Sequence, residues 1–220
     1  MNTFEAYGQW SMVALNVAFF LFFLTSFLAP RGWAEWRNLG AVGAFLVALF
    51  TEMYGFPLTI YLLSGWLGES YPVLNPLTHQ NGHLWVALSG GSLAVWGLVM
   101  VVSSLLLIAG YILLARGWRR VHWAGGDLVT DGVYASVRHP QYTGFFLVIA
   151  GFFIQWPTIL TVLMAPVLIV AYRRLALREE RLLLERFGDA YERYQRATPR
   201  FFPPPGHWRT LFDARPPVAK

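Results

Sequence analysis

Apolar runs of membrane-crossing length, parted by short breaks rich in glycine, proline or charge, set the pattern of this chain. A membrane helix needs ~20 mostly apolar residues to cross ~30 Å of hydrocarbon. The first run, Ser11 to Ala29, qualifies and is closed by Pro30-Arg31-Gly32. No Lys or Arg precedes it, so it lacks the positive flank of a cleaved signal and reads as a retained span. The second run, Leu39 to Leu63, is interrupted by Pro57, and the third, Leu84 to Ala115, is long enough to tilt. From Tyr142 to Tyr172 the chain is apolar again, but Gln155-Trp156-Pro157-Thr158 divides it. Each piece, at about 15 residues, falls short of the usual ~17–25 for a full span, which predicts a tight helical hairpin. A single kinked helix is disfavoured, since it would extend ~46 Å at 1.5 Å per residue.

Beyond Tyr172 the pattern becomes amphipathic. Leu175, Leu182, Leu183, Phe187, Tyr191 and Tyr194 recur at helical spacing among Arg and Glu as far as Ala197. Gly188 predicts one break, and Asp189 with Glu192 three residues on predicts a capping box for a second short helix. Pro199 and Pro203-Pro204-Pro205 end helical structure, leaving a basic, mobile end to Lys220. The expected fold is all-α: a single polytopic membrane domain over residues 1–220, with five transmembrane helices, the last two a hairpin, followed by cytoplasmic helices. Residues 1–115 hold three spans, 116–203 the polar half, and 204–220 the tail.

Composition and charge sharpen this picture. Of 220 residues, 56% are hydrophobic and 13% charged, against ~25% charged in soluble domains, which argues against a water-soluble enzyme. No Lys or Arg lies between Arg37 and Arg116, and Glu52 and Glu69 are the acidic residues there. All but Arg31 and Arg37 of the 17 basic residues follow position 115. By the positive-inside rule the amino terminus is outside, while the loop after the third span and the carboxyl tail are cytoplasmic. The net charge of +5 therefore reads as a headgroup-facing surface, not a nucleic-acid partner. With no cysteine, disulfide scaffolding, thiolate metal sites and a cysteine nucleophile are excluded. No glycine-rich phosphate motif follows a strand pattern.

The polar residues concentrate in Arg116 to Tyr142 and Arg173 to Arg200, which the topology puts on one membrane face. Arg138-His139-Pro140-Gln141-Tyr142 stands where the fourth span begins. Proline suits the first helical turn, and the free N–H groups there draw anions, a pull that Arg138 and His139 would reinforce. Headgroup anchoring explains the same residues equally well. Glu179-Glu180 can serve a cationic ligand, or pair with Arg173, Arg174, Arg178 and Arg181. Glu52, mid-span, must face the bundle or a polar cavity. With Tyr54 and the Pro57 kink it is a candidate for the substrate pocket, or for a hydrogen bond across helices. His79 and His83 are four apart, as metal ligands on a helix would be, but Asn75-Pro76 and Asn81-Gly82 read as turns, so no metal is expected. Trp33, Trp36, Trp66, Trp118 and Trp123 read as interface anchors. His122 and His207 carry no motif.

The string Asp127-Leu128-Val129-Thr130-Asp131-Gly132-Val133-Tyr134, followed by Arg138-His139-Pro140-Gln141-Tyr142-Thr143-Gly144, resembles the signature of the isoprenylcysteine carboxyl methyltransferase family and its phospholipid methyltransferase relatives. Glu179-Glu180, Leu183, Phe187-Gly188, Tyr191, Tyr194 and Pro199-Arg200-Phe201 reproduce the spacing of that family's carboxyl-terminal region. The likeness covers about Gly117 to Pro203. It implies an integral membrane enzyme transferring the methyl of S-adenosylmethionine, with the cofactor enclosed by the last spans and the helices after them. By resemblance, Gly126, Asp127, Leu128, Val129, Tyr134, His139, Pro140, Gln141, Tyr142 and Glu179 correspond to cofactor contacts, joined by Arg138. Arg174 or Arg173 lies near the position of an acceptor-facing arginine. Gly126 stands where many members have histidine. Methyl transfer rests on positioning and electrostatics; Tyr134 or Tyr142 would pack on adenine or sulfonium, and an acceptor needing deprotonation would call on His139 or Glu180. The implied acceptor is a lipid or lipid-like molecule, with prenylated cysteine carboxylate, phospholipid amine and thiol all compatible. The alternative of another class is a non-catalytic transporter or scaffold with an anion-binding face.

Overall fold

The computed structural model describes residues 8–28, 33–67, 83–206 and 208–212. Among the described residues the secondary structure is helical, with no strand. The helices are α1 (Trp10–Leu28), α2 (Trp33–Phe50), α3 (Leu58–Leu67), α4 (Leu84–Leu88), α5 (Leu93–Trp123), α6 (Pro140–Gln155), α7 (Ile159–Phe187), α8 (Asp189–Ala197) and α9 (Trp208–Phe212). A π turn, Thr51–Gly55, follows α2, and a 3₁₀ turn, Gly132–Ala135, precedes α6.

Two of these helices, α5 and α7, are long and apolar enough to cross a membrane. Their apolar side chains are not gathered into a core: Leu98, Val101, Leu105 and Ile108 on α5, and Val162, Leu163, Val167 and Ile169 on α7, are exposed. A soluble protein would bury such rows, whereas lipid accepts them. Helix α6 adds 16 apolar-rich residues from Pro140 to Gln155.

The chain packs as two compact units, Met1–Leu105 with Ile149–Ile169, and Leu106–Val148 with Val170–Lys220. In the first unit, Phe20 stacks on Phe50, and both meet the edge of Phe152. The predicted second span is broken, as Pro57 requires: α2 ends in the π turn and α3 starts afresh. The predicted third span also starts in two pieces, α4 and α5, parted by Gly90 and Gly91 at positive φ. The predicted break between the last two apolar helices is present. Helix α6 stops at Gln155, and Thr158 opens α7 by a reciprocal cap, its Oγ accepting from the Thr161 N–H and its own N–H donating to Thr161 Oγ, both at 3.0 Å. The second arm then continues as the charged tail helix without interruption to Phe187.

The second unit holds α5 and α6 at close range. A Cβ on Gly110 would lie 2.6 Å from the Gly144 carbonyl oxygen, and one on Gly144 equally close to that of Gly110. Gly117 repeats this against Gln141 Cγ at 2.8 Å. Small residues let helix backbones approach in a membrane, where packing takes over from the hydrophobic drive.

Two expectations need correcting. The Asp189–Glu192 capping box does not form: Gly188 is the N-cap at φ +52, Asp189 is already helical, and Glu192 pairs with Arg196. The tail is not free along its whole length. Pro-rich residues 203–205 are followed by α9, whose Leu211 is fully buried in a cluster with Leu113, Val133, Tyr134 and Val137. Arg31, Glu69, His79 and His207 lie outside the described residues.

Candidate active site

Glu180, on the charged end of α7, is buried, with a side chain 5% exposed. Its Oε1 accepts from Arg138 Nε at 3.0 Å, Arg200 Nε at 2.9 Å and His139 Nε2 at 3.1 Å. Its Oε2 accepts from Arg200 Nη2 at 2.8 Å and Gln195 Nε2 at 3.3 Å. A buried carboxylate is tolerated only with such complete pairing. Burial alone would raise its pKa, but the His139 and Arg200 hydrogen bonds and the Arg138 charge hold it well below the usual carboxylate range.

Arg138 is turned inward by the same cluster. Its Nη1 donates to the carbonyls of Gln195 at 2.5 Å and Thr198 at 2.8 Å, in addition to the Glu180 contact. The backbone follows: the Arg138 N–H donates to Pro199 O and the His139 N–H to Arg200 O. Thr143 Oγ1 reaches Phe201 O at 2.5 Å. The segment 198–201 is thereby laid along the start of α6. The donors of Arg138 that were expected to draw an outside anion are already engaged inside the protein.

His139 lies between the two acids, Nε2 toward Glu180 and Nδ1 3.4 Å from Glu179 Oε2. Burial alone would lower its pKa, yet the two carboxylates raise it. Each ring nitrogen is thus turned toward a carboxylate oxygen. Tyr142 stacks on it, centroids 5.5 Å apart and planes 15° apart, and its hydroxyl donates to Glu179 Oε1. Glu179 differs from its neighbour in one respect that matters: its side chain is 36% exposed. A carboxylate oriented by Tyr142 and His139 is thus open to a ligand.

Tyr134 is buried. Its ring belongs to the buried cluster with Leu113 and Val137, its hydroxyl is directed at Gly117 O at 3.4 Å, and its carbonyl accepts from Tyr194 at 2.7 Å. In the preceding loop Gly126 has φ +105, and a Cβ there would lie 3.0 Å from Arg186 Nη2, so the histidine of many family members would be strained in this backbone. Asp127 is exposed, Leu128 and Val129 half-buried, Pro140 buried and Gln141 half-buried. Arg173 and Arg174 are exposed on α7.

Thus Arg138, His139, Tyr142, Glu179 and Glu180 come together, with Tyr134 and Val129 in the adjoining cluster. Sequence reasoning missed Gln195, Thr198 and Arg200 as parts of this arrangement. The signal for Arg200 was its place in Pro199-Arg200-Phe201; the other two contribute an amide and a carbonyl and carry no pattern.

Glu52 and Tyr54 belong to the first unit. Glu52 is buried and both its oxygens accept from Thr59, N–H at 2.9 Å and Oγ1 at 2.8 Å. Thr59 Oγ1 accepts in turn from the Ile159 N–H at 2.9 Å. Glu52 thus caps the start of α3 after the Pro57 break. Tyr54 stacks on Phe50. His83 Nδ1 contacts Gln155 O at 3.1 Å and its ring meets the edge of Trp156, so it holds the hairpin turn.

Residues 93–190 match the family model described as phospholipid methyltransferase. This segment is similar to that family. Over 82 residues the chain is 40% identical to the protein-S-isoprenylcysteine O-methyltransferase of Schizosaccharomyces pombe, covering 34% of this chain and 33% of that protein. The match spans about a third of the length of that curated relative. No solved structure matches the chain. The family segment contains Arg138, His139, Tyr142, Glu179 and Glu180, while Gln195, Thr198 and Arg200 lie just past its end.

Proposed function

We propose that the protein is an integral membrane methyltransferase that uses S-adenosylmethionine and methylates an amphiphilic acceptor entering from the lipid at the cytoplasmic face. The acceptor we favour is an isoprenylcysteine-like carboxylate. The observation that carries this reading is the half-exposed Glu179 carboxylate, aimed by Tyr142 and His139 beside a fully paired Glu180, within the family segment.

The residues suit the donor. When bound, S-adenosylmethionine supplies a methyl group on a positively charged sulfur whose charge is lost on transfer. The open face of Glu179 accepts hydrogen bonds from an ammonium or ribose hydroxyls. The start of α6 at Pro140, with Gln141 behind it, favours a carboxylate through the positive end of the helix dipole. The Gly126–Val129 loop, with Asp127 exposed, supplies the further contacts that the resemblance implies. Tyr142 holds the His139–Glu179 geometry, which keeps the site preorganised.

Nothing in this cluster is arranged to take a proton from the acceptor. Both nitrogens of His139 face carboxylates, and Glu180 is saturated by cations, so Glu180 acts as the strut of the site and not as a base. An acceptor that arrives already nucleophilic needs no base, and Arg173 or Arg174 on the exposed face of α7 orients an anionic one. The carboxylate is preferred on this ground to an ammonium or a thiol. Five spans with the amino terminus outside put this face in the cytoplasm.

Calorimetry on the purified protein in detergent tests the reading. S-adenosylhomocysteine gives saturable heat with the wild type, and Glu179→Gln, still folded, loses it at least tenfold. Folded wild-type protein that gives no heat supports the alternative, an anion-binding membrane protein without catalysis.

A further inference from the structure

The helix Trp208–Phe212 lies beyond the family segment, which ends at residue 190, yet it is anchored. Leu211 is fully buried against Leu113, Val133, Tyr134 and Val137, with Val129 and Phe212 packed at the margin. Arg116 Nη1 donates to the Leu211 carbonyl at 3.4 Å, tying the end of this helix to α5. Five residues are too few to hold a helix by backbone hydrogen bonding alone. Its place therefore depends on side-chain anchors: that buried leucine, the Arg116 contact and the packing of Trp208 on Phe202, ring centroids 6.1 Å apart.

What Leu211 covers is the stretch Val129 to Val137, which leads directly into Arg138 and His139. Two polar contacts already hold this loop at Tyr134, the hydroxyl on Gly117 and the carbonyl on Tyr194. Both act at one residue, and the Arg120–Asp131 ion pair at 3.0 Å holds the start of the stretch. Val133 and Val137, on either side, have only apolar side chains, and in the cluster they share Leu211 covers them. We infer that Trp208–Phe212 is a clasp and that Leu211 is a positioning residue, fixing the Val129–Val137 loop, and through it His139, in the arrangement that receives the methyl donor. This rests on the donor site proposed above.

The test uses the full chain with Leu211→Ala and Leu211→Met, read in two ways. Amide hydrogen exchange is followed without ligand, and S-adenosylhomocysteine affinity is measured by calorimetry. Leu211→Ala accelerates exchange across 129–137 while leaving the amides of 160–172 at wild-type rates, and weakens the nucleotide about tenfold. Leu211→Met, which refills the space, restores both. Wild-type exchange in the alanine variant, or a loosened loop with wild-type affinity, overturns the clasp, as does loosening throughout the chain that methionine does not reverse. If the alanine variant fails to fold, Leu211→Val carries the same comparison. A wild type that binds no nucleotide overturns the donor site itself, and the exchange data, which need no ligand, tell that failure from a failed clasp.

Discussion

Glu179 and Glu180 are adjacent in sequence and opposite in environment. Successive helical residues are turned by ~100°, so one carboxylate can be enclosed by Arg138, His139 and Arg200 while the other stays half-exposed beside Tyr142. Removing one partner of a buried ion pair leaves the other charges uncompensated, so Glu180→Gln lowers stability by about 3–5 kcal/mol, read as a large drop in the thermal midpoint in detergent. Glu179→Gln costs about 1 kcal/mol or less, as for an exposed pair. The His139 pKa is raised in the folded state, so its stabilising contribution is complete below pH ~6.5 and is lost as pH rises through the folded value. The Glu180 pKa is lowered, so its contribution is present above pH ~4.5 and is lost on strong acidification. Thermal midpoints measured against pH therefore fall on the alkaline side, and His139→Gln flattens that limb. The two acids were legible in the sequence as a pair. Which of them turned inward was not, because that depends on Gln195, Thr198 and Arg200 returning from beyond a helix break.

The helical elements owe their placement to local features of different visibility. The break at Gln155-Trp156-Pro157-Thr158 was readable, since proline and a capping threonine leave little alternative. The break at Gly188 was readable as well, but not its chemistry, because a glycine at positive φ made a side-chain cap unnecessary. The close approach of α5 and α6 left only glycines as its trace, and glycine also occurs where nothing is near: a Cβ on Gly97 meets no atom within 4 Å. That contrast gives a paired prediction. Gly144→Ala forces a methyl group against the Gly110 carbonyl and lowers stability by about 1–3 kcal/mol, whereas Gly97→Ala, on the same apolar helix system, leaves the thermal midpoint unchanged or raised.

The whole molecule is a helical protein whose two longest apolar helices expose their apolar rows, which places it with membrane proteins. That much followed from hydropathy alone. The anchored end did not, since Leu211 stands alone among proline, basic and aromatic residues without any period to mark it. The absence of cysteine makes the proposed topology directly testable. Ser89→Cys is labelled by an impermeant maleimide applied to the outside of intact cells, while Arg181→Cys reacts only after permeabilisation. The reverse pattern would invert the orientation, and with it the cytoplasmic site. The central claim is the transfer itself, and the most direct measurement gives purified protein in lipid vesicles S-adenosylmethionine labelled in its methyl group, together with a prenylated cysteine. Label entering the organic phase with wild-type protein, and not with Glu179→Gln, is the predicted result. A folded wild type that leaves all label in the aqueous phase would contradict the account.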